Sequence, residues 1–555
     1  SKYKTAANFD LSGAPKWVYA SNQKVKLMVS RQLDVDQSAF ISLMKANGVK
    51  VEDEINKETH EYVLITMNES KLEWLKNLAE VKFIDYGEPP VEPDDIRARG
   101  LHRLNLLGAG NPFRSDLNGD SVDIAIADNG LGSHIDRKGR VTMYTTTNNG
   151  THGDMTAGIA VGAGNLNPRY KGHATHSHLH YYNISGYPQI NQAVNNFNFR
   201  NVVITSTSFS QGCNSYNGFS RAIDQQVNGT PELLHVFSAG NNANANCGYG
   251  AGTLWGTITG GYKQGKSVIA TGNLDYRGNL TFSSSRGPAA DGRIKPDICA
   301  NGTSQISTDP NNGYSPGGGT SAAAPSIAGI AAVMYQGYKK LHNNQNPPSG
   351  LIKSAMLNTA RDIGDKGPDF WYGWGVVNAH RAMLLLEENR YTDSAISQGN
   401  LITHDVVINQ TLPSLKLMVY WTDAASSTAS SKALINDLDL RVVTPNNDTL
   451  LPYVLNPTAN VTTLGNPATN GVDDLNNVEQ VEIDSAVAGT YRILVNGTAI
   501  PNGPQEYFLL WETIEDSIAV TYPAGGEPWV PFQRETIRWD APENQSGSFT
   551  VEYSA

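Results

Sequence analysis

The chain is 555 residues long, carries a formal net charge of −11 and has only 17% charged residues. That length exceeds what one hydrophobic core organises, so several domains are expected. An acidic balance without a long basic run argues against nucleic acid and anionic membrane surfaces as partners, and no apolar run is long enough to span a bilayer.

Residues 1–21 are a mixed polar tail. Residues 22–90 carry a regular pattern. Lys24–Arg31 alternates, with Val25, Leu27 and Val29 on one face, and predicts a strand. Asp36–Asn47 places Phe40, Leu43 and Met44 at helical spacing and stops at Gly48. Val49–Glu52 and Glu61–Thr66 read as strands, Glu69–Leu78 as a helix and Val81–Asp85 as a last strand. The order βαββαβ predicts a ferredoxin-like α+β domain. The Pro- and acid-rich stretch Glu88–Asp95 that follows reads as an extended linker.

Residues 91–390 hold the candidate chemistry. Val122–Gly130 is an apolar strand ending in Asp128, and open α/β sheets bind ligands at the carboxyl ends of their strands. Asn149–Ala160 is a loop entering a helix of small residues, with His152 at the helix start. In Gly317-Gly318-Gly319-Thr320-Ser321-Ala322-Ala323-Ala324-Pro325, a tight glycine turn delivers Ser321 to the start of an alanine-rich helix. There unpaired N–H groups and the helix dipole favour negative charge. A serine in that place is a helix cap or an acyl-transfer nucleophile. A nucleophilic hydroxyl needs a base, and the base needs an orienting group.

Asp128, His152 and Ser321, in that order and in those settings, resemble the subtilisin-like serine proteases (subtilases). Phe237-Ser238-Ala239-Gly240-Asn241-Asn242, Ser283-Ser284-Ser285-Arg286-Gly287-Pro288, Lys295-Pro296-Asp297 and Gly373-Trp374-Gly375-Val376-Val377-Asn378-Ala379 carry the same resemblance, which spans residues 95–388. Two motifs depart from it: Asp128-Asn129-Gly130 replaces Asp-Thr-Gly or Asp-Ser-Gly, and His152-Gly153-Asp154-Met155 replaces His-Gly-Thr-His. Asp154 adds a negative charge expected to raise the pKa of the base.

The resemblance implies an α/β parallel-sheet subtilase domain. Ser321 would be the nucleophile, His152 the base and Asp128 its orienter. The Asn241 side chain and the Ser321 N–H would hold the oxyanion, with no cofactor for the chemistry. It also implies that Ser208, Phe209 and Ser210 form one wall of the S1 pocket, that Ala239 and Gly240 belong to the other, and that the floor lies near Thr257-Ile258-Thr259. No acidic residue occurs in these segments, so a strict Arg/Lys preference is unsupported and a medium or large apolar P1 residue is expected. Cys213 and Cys247 lie in the loops after the two walls and are expected to form a disulfide; Cys299 reads as a buried thiol. His176, His178 and His180 alternate on a strand. The resemblance puts that strand outside the cleft, so ordinary strand histidines are expected rather than a metal site.

By the same resemblance, residues 22–90 are an inhibitory propeptide, an intramolecular inhibitor cut from the protease within Tyr86–Gly100 or retained covalently. Protein or peptide substrates are the expected partners. Together with the resemblance, the start at Ser1, without Met or a signal peptide, suggests either an excised segment or a secreted product whose signal is gone; a secreted or cell-surface location is expected, and the architecture resembles bacterial proteins.

After residue 395 the pattern changes to strands and turns. Leu415–Trp421, Asp437–Thr444, Val478–Ile483, Gly489–Asn496 and Gln505–Glu512 predict a C-terminal β-sandwich (jelly roll) over 395–515. Asp437 and Asp439 share one strand face, and with Asp474, Asn477 or Glu479 they could make an oxygen-ligand site for structural calcium; a solvated acidic strand edge gives the same pattern. Ala519–Tyr522, Glu535–Trp539 and Phe549–Tyr553 suggest that 516–555 begins an immunoglobulin- or fibronectin-like module too short to close, so a longer chain is expected. A rival of another class is a non-catalytic surface or adhesion protein on a pseudoprotease scaffold, for which only the altered His motif speaks.

Overall fold

The computed structural model describes residues 4–5, 11, 18–21, 23–32, 34–55, 62–86, 95–108, 116–144, 150–185, 188–209, 211–525, 527, 535–541, 550 and 552. Two compact units divide the chain, 1–93 and 94–555. The linker at 87–94 and the strand expected at Phe549–Tyr553 fall largely outside the described residues.

In the first unit the order is β1 (Tyr19–Ser21), β2 (Lys24–Arg31), α1 (Gln37–Ala46), β3 (Lys50–Ile55), β4 (Tyr62–Asn68), α2 (Leu72–Asn77) and β5 (Val81–Tyr86). The pairings between these strands are antiparallel: β2 pairs with β4, β5 and the short β1, and β4 also pairs with β3. Asp36 caps α1 by accepting a hydrogen bond from Ala39 N at 3.0 Å, and Gly48, at φ +68°, follows its end. Phe40 and Met44 of α1 and Leu75 of α2 pack with Val25, Leu27 and Val29 in one core.

The second unit is built on a seven-stranded sheet in the order β12-β11-β10-β9-β6-β8-β7. Its strands are β6 (Asp123–Asp128), β7 (Val141–Met143), β8 (His178–Asn183), β9 (Val202–Thr207), β10 (Leu234–Ser238), β11 (Ile269–Leu274) and β12 (Ile298–Asn301), and every pairing is parallel. Helices α3 (Asp95–Leu101), α4 (His152–Val161), α5 (Pro188–Asn191), α6 (Ala193–Arg200), α7 (Gly218–Gly229), α8 (Thr320–Leu341), α9 (Ser349–Asn358) and α10 (Ala379–Glu387) complete it. The central strands read as near-continuous apolar runs because helices cover both faces. On β10, Leu234 and Val236 join the core that holds α8, while Phe237 packs with Ile223 of α7. The small residues of α8 explain its place: Ala322–Ala324, Ala328, Ala331 and Ala332 are all 0% exposed, so the helix lies close under the sheet. The chain winds one way from β6 through β8 and the other way from β9 to β12. The strand order therefore reverses between β6 and β9, where a crevice opens at the carboxyl ends. A hairpin of β13 (Gln305–Asp309) and β14 (Gly313–Gly317) leads into α8.

Beyond residue 390 come two four-stranded antiparallel sheets. One is ordered β15-β24-β17-β22, from β15 (Tyr391–Ile396), β17 (Leu412–Tyr420), β22 (Val478–Ala486) and β24 (Gln505–Ile514). The other is β16-β23-β18-β19, from β16 (Leu401–Ile408), β18 (Asp437–Val443), β19 (Thr449–Leu450) and β23 (Gly489–Ala499). Leu417, Val419 and Leu509 of the first share a core with Leu440, Val442 and Ile493 of the second, around the fully buried Trp421. The outer face of the first sheet supplies Met418, Tyr420 and Leu510 to the core of the parallel-sheet domain. Polar links cross that junction too: Lys266 Nζ pairs with Asp423 and donates to Ala433 O at 2.7 Å, and both charged side chains are 0% exposed. A small ribbon, β20 (Tyr453–Val454) with β21 (Thr469–Asn470), and a last pair, β25 (Ala519–Tyr522) with β26 (Arg538–Asp540), complete the described strands.

Candidate active site

Asp128 is the last residue of β6 and is 2% exposed. His152 is the first residue of α4, and its Nδ1 lies 2.7 Å from Asp128 Oδ1. Two further donors hold the carboxylate: Asn129 N reaches Oδ1 at 2.8 Å, and Thr156 Oγ1 reaches Oδ2 at 3.1 Å. Thr156 follows His152 by four residues, so both stand on one face of α4. Burial pulls the His152 pKa down, and the hydrogen bond and charge of Asp128 more than reverse this, so the net shift is upward. With Nδ1 held by the carboxylate, Nε2 remains to accept a proton.

Asp154 does not contribute in the way its sequence position suggested. It is 0% exposed, pairs with Arg137 Nη2 at 2.6 Å and accepts from Gly132 N at 3.0 Å. Burial and Asp128, not Asp154, set the pKa of His152.

Ser321 is the second residue of α8, after Gly319 at φ +86°. A Cβ at Gly319 would also lie 2.9 Å from Asn241 Nδ2, so conformation and space both require glycine there. Among the described residues the Ser321 hydroxyl bonds to Ser208 O at 3.3 Å rather than to His152. Rotation about χ1 moves a serine hydroxyl between staggered positions.

Asn241, in the turn after β10, accepts at Oδ1 from Thr320 N at 2.9 Å and from Thr320 Oγ1 at 3.0 Å. Its carbonyl end is thus fixed and its NH2 end is left to donate. Thr320 Oγ1 also accepts from Gly240 N at 3.2 Å. Thr156 and Thr320 were not singled out in the sequence. The four-residue spacing from His152 was a readable signal for the first, whereas the second depends on how α8 meets the turn after β10.

Ser208 and Phe209 follow β9, and Ser208 Oγ donates to Ser321 O at 2.9 Å; Ser210 lies outside the described residues. Ala239 O accepts from Thr259 N at 3.2 Å, and Gly240, at φ +122°, would place a Cβ 2.3 Å from Thr259 Oγ1. Cys213 and Cys247 are joined in a disulfide, and Cys299 is a buried free thiol. The strand histidines have separate partners: His178 Nε2 lies 2.8 Å from Thr142 Oγ1, and His180 Nε2 lies 2.8 Å from Asp123 Oδ2.

The acidic residues of the C-terminal sheets are divided. Asp439 and Glu479 are buried, and among the described residues Asp437 Oδ1, Asp439 Oδ1 and Glu479 Oε1 have no hydrogen-bond partner. Burial raises the pKa of Asp437 to about 6, with contributions from Asp439, Asp474 and Asp473; burial, Asp473, Asp439 and Asp437 push Glu479 well up. Asp474 is exposed beside Lys432 at 3.5 Å, and the Asn477 side-chain amide donates to Trp421 O at 2.7 Å. Among the described residues, no three or more His, Cys, Asp or Glu side chains gather into a group able to hold a metal ion.

Asp128 and His152 thus meet at the carboxyl end of β6, and Ser321 bonds to Ser208 just beyond the neighbouring strand β9. Residues 119–375 match the model of the subtilase family. A serine protease/ABC transporter B family protein, tagA, of Dictyostelium discoideum is 29% identical over 265 residues, which are 41% of this chain and 15% of that protein. Subtilisin DY of Bacillus licheniformis is 27% identical over 313 residues, covering 54% of this chain and 98% of the relative. C5a peptidase of Streptococcus pyogenes is 34% identical over 132 residues, covering 22% of this chain and 11% of the relative. The chain thus spans only about a sixth of the two Dictyostelium relatives.

Proposed function

We propose that the protein is a serine endopeptidase of the subtilisin-like type. The observation that carries this reading is the 2.7 Å contact of His152 with Asp128 at the end of β6, beside β9, after which Ser208 O accepts from the Ser321 hydroxyl. Ser321 Oγ attacks the peptide carbonyl as His152 Nε2 takes its proton; Asp128 fixes the tautomer and stabilises the imidazolium. The amide of Asn241 and the N–H of Ser321 receive the oxyanion. His152 then protonates the leaving amine, and water repeats the sequence in reverse on the acyl-enzyme. The altered His motif gave the pseudoprotease rival its support, and neutralisation of Asp154 by Arg137 weakens it.

The first unit acts as an intramolecular inhibitor, and the linker between Tyr86 and Gly100 is the self-processing site. The Cys213–Cys247 disulfide supports a secreted or cell-surface setting, since such bonds persist in oxidising compartments.

The test is incubation of the full chain with denatured casein and, separately, with an alkyl fluorophosphonate. Casein fragments and covalent label on Ser321 are expected, and Ser321→Ala should abolish both and leave the linker uncut. Casein cleavage by the Ser321→Ala protein would refute the assignment.

A further inference from the structure

Lys263 sits in the 3₁₀ turn Tyr262–Gln264 and is 2% exposed. Its amine has one hydrogen-bond partner among the described residues, Ser238 Oγ at 3.5 Å, and no carboxylate. Every other lysine of comparable burial in the parallel-sheet domain is better served. Lys266 pairs with Asp423, and Lys295 and Lys353 both pair with Asp297. An ammonium offers three donors, and burying it without a counter-charge is costly. Burial alone accordingly pushes the Lys263 pKa down to about 7.

Its location gives this exception a use. The segment from Thr257 to Lys263 joins both proposed walls of the S1 pocket. Thr259 N donates to Ala239 O at 3.2 Å, and Gly260 N donates to Gly212 O at 2.7 Å, in the loop after the first wall. Tyr262 packs against Phe237, with Phe209 of the first wall against the same cluster. From the end of this floor segment, the Lys263 side chain runs back to Ser238, the residue immediately before Ala239.

Resting on the serine-peptidase reading, we propose that Lys263 is a specificity-determining residue, whose ammonium at the floor of the S1 pocket selects a P1 side chain that ends in a carboxylate. The incoming carboxylate supplies the missing counter-charge and accepts N–H bonds that Ser238 alone does not satisfy. A glutamate reaches further than an aspartate and is the better match to a floor site. This replaces the apolar P1 preference expected from the wall segments, none of which includes residue 263.

The test uses the full chain and peptides identical except at P1, which is Glu, Gln, Asp, Leu or Phe. Wild-type protein is expected to cleave after Glu with kcat/KM about tenfold or more above Gln and Leu, because a site built for a polar group rejects analogues that leave it unpaired. Lys263→Met is expected to reverse that order in favour of Leu. Equal rates for Glu and Gln in the wild type, or retention of the Glu preference by Lys263→Met, overturns the inference. The Glu-to-Gln comparison needs no variant, so it stands even if Lys263→Met folds poorly. Ser321 labelling by the alkyl fluorophosphonate separates the two readings. Labelling with cleavage only after apolar residues overturns the role of Lys263 alone; absence of both labelling and cleavage overturns the peptidase reading with it.

Discussion

Replacement of Thr320 by valine isolates one link in the proposed oxyanion site. The two side chains have nearly the same shape, so the change removes a hydroxyl rather than volume. That hydroxyl donates to Asn241 Oδ1 at 3.0 Å and accepts from the buried Gly240 N at 3.2 Å. Asn241 keeps its bond from Thr320 N, so one of its two anchors is lost. A neutral hydrogen bond contributes about 0.5–1.5 kcal/mol net, which corresponds to about twofold to twelvefold in kcat. Leaving Gly240 N unpaired costs about 1–3 kcal/mol of stability as well. The assay is steady-state cleavage of a short peptide substrate, with kcat and KM resolved, alongside urea unfolding. KM should hold while kcat falls. Asn241→Ala alone should cost about 10²–10³ in turnover, a magnitude that comes from subtilisin itself, and Thr320→Val should add nothing on that background. A rise in KM alone, or additive losses in the double variant, would refute the positioning role.

The base gives a pH prediction. His152 must be neutral to accept a proton and its pKa is raised, so kcat/KM should climb through an inflection above the usual histidine value of about 6.5. Asp128→Asn should lower that inflection and cut kcat by about 10⁴; an unmoved inflection would show that Asp128 does not set it. The same raised pKa stabilises the fold fully below the unfolded value, and this contribution is lost as pH rises through the folded one. Lys266→Met should cost about 3–5 kcal/mol in urea unfolding, because Asp423 is left buried and unpaired; a loss under about 1 kcal/mol would mean the pair is not closed in solution.

Much of the architecture was legible because it is written in short-range patterns. Alternation at Val25, Leu27 and Val29 and helical spacing at Phe40 and Met44 lie within single elements. The glycine turn before Ser321 is equally local, since Gly319 meets both a positive φ and a close neighbour. What the sequence hid lies between elements. β15 and β16 were missed because they present few buried residues; Leu401 and Val407 of β16 are exposed, so apolar periodicity is weak there. The pairing of Asp154 with Arg137 joins residues 17 apart that share no motif, and it cancels the charge effect expected at the base. Lys263 carried no signal at all, because an isolated lysine in a loop reads as solvated and only packing shows that it is not.

The proposed relay of Asp128, His152 and Ser321 is tested most directly by its non-additivity. Single-turnover rates on one peptide should be compared for His152→Ala, Ser321→Ala and the double variant. If the two residues act as one unit, each single change should lose nearly as much as the pair together. Losses that multiply in the double variant, or a Ser321→Ala protein that keeps the wild-type rate, would contradict the account.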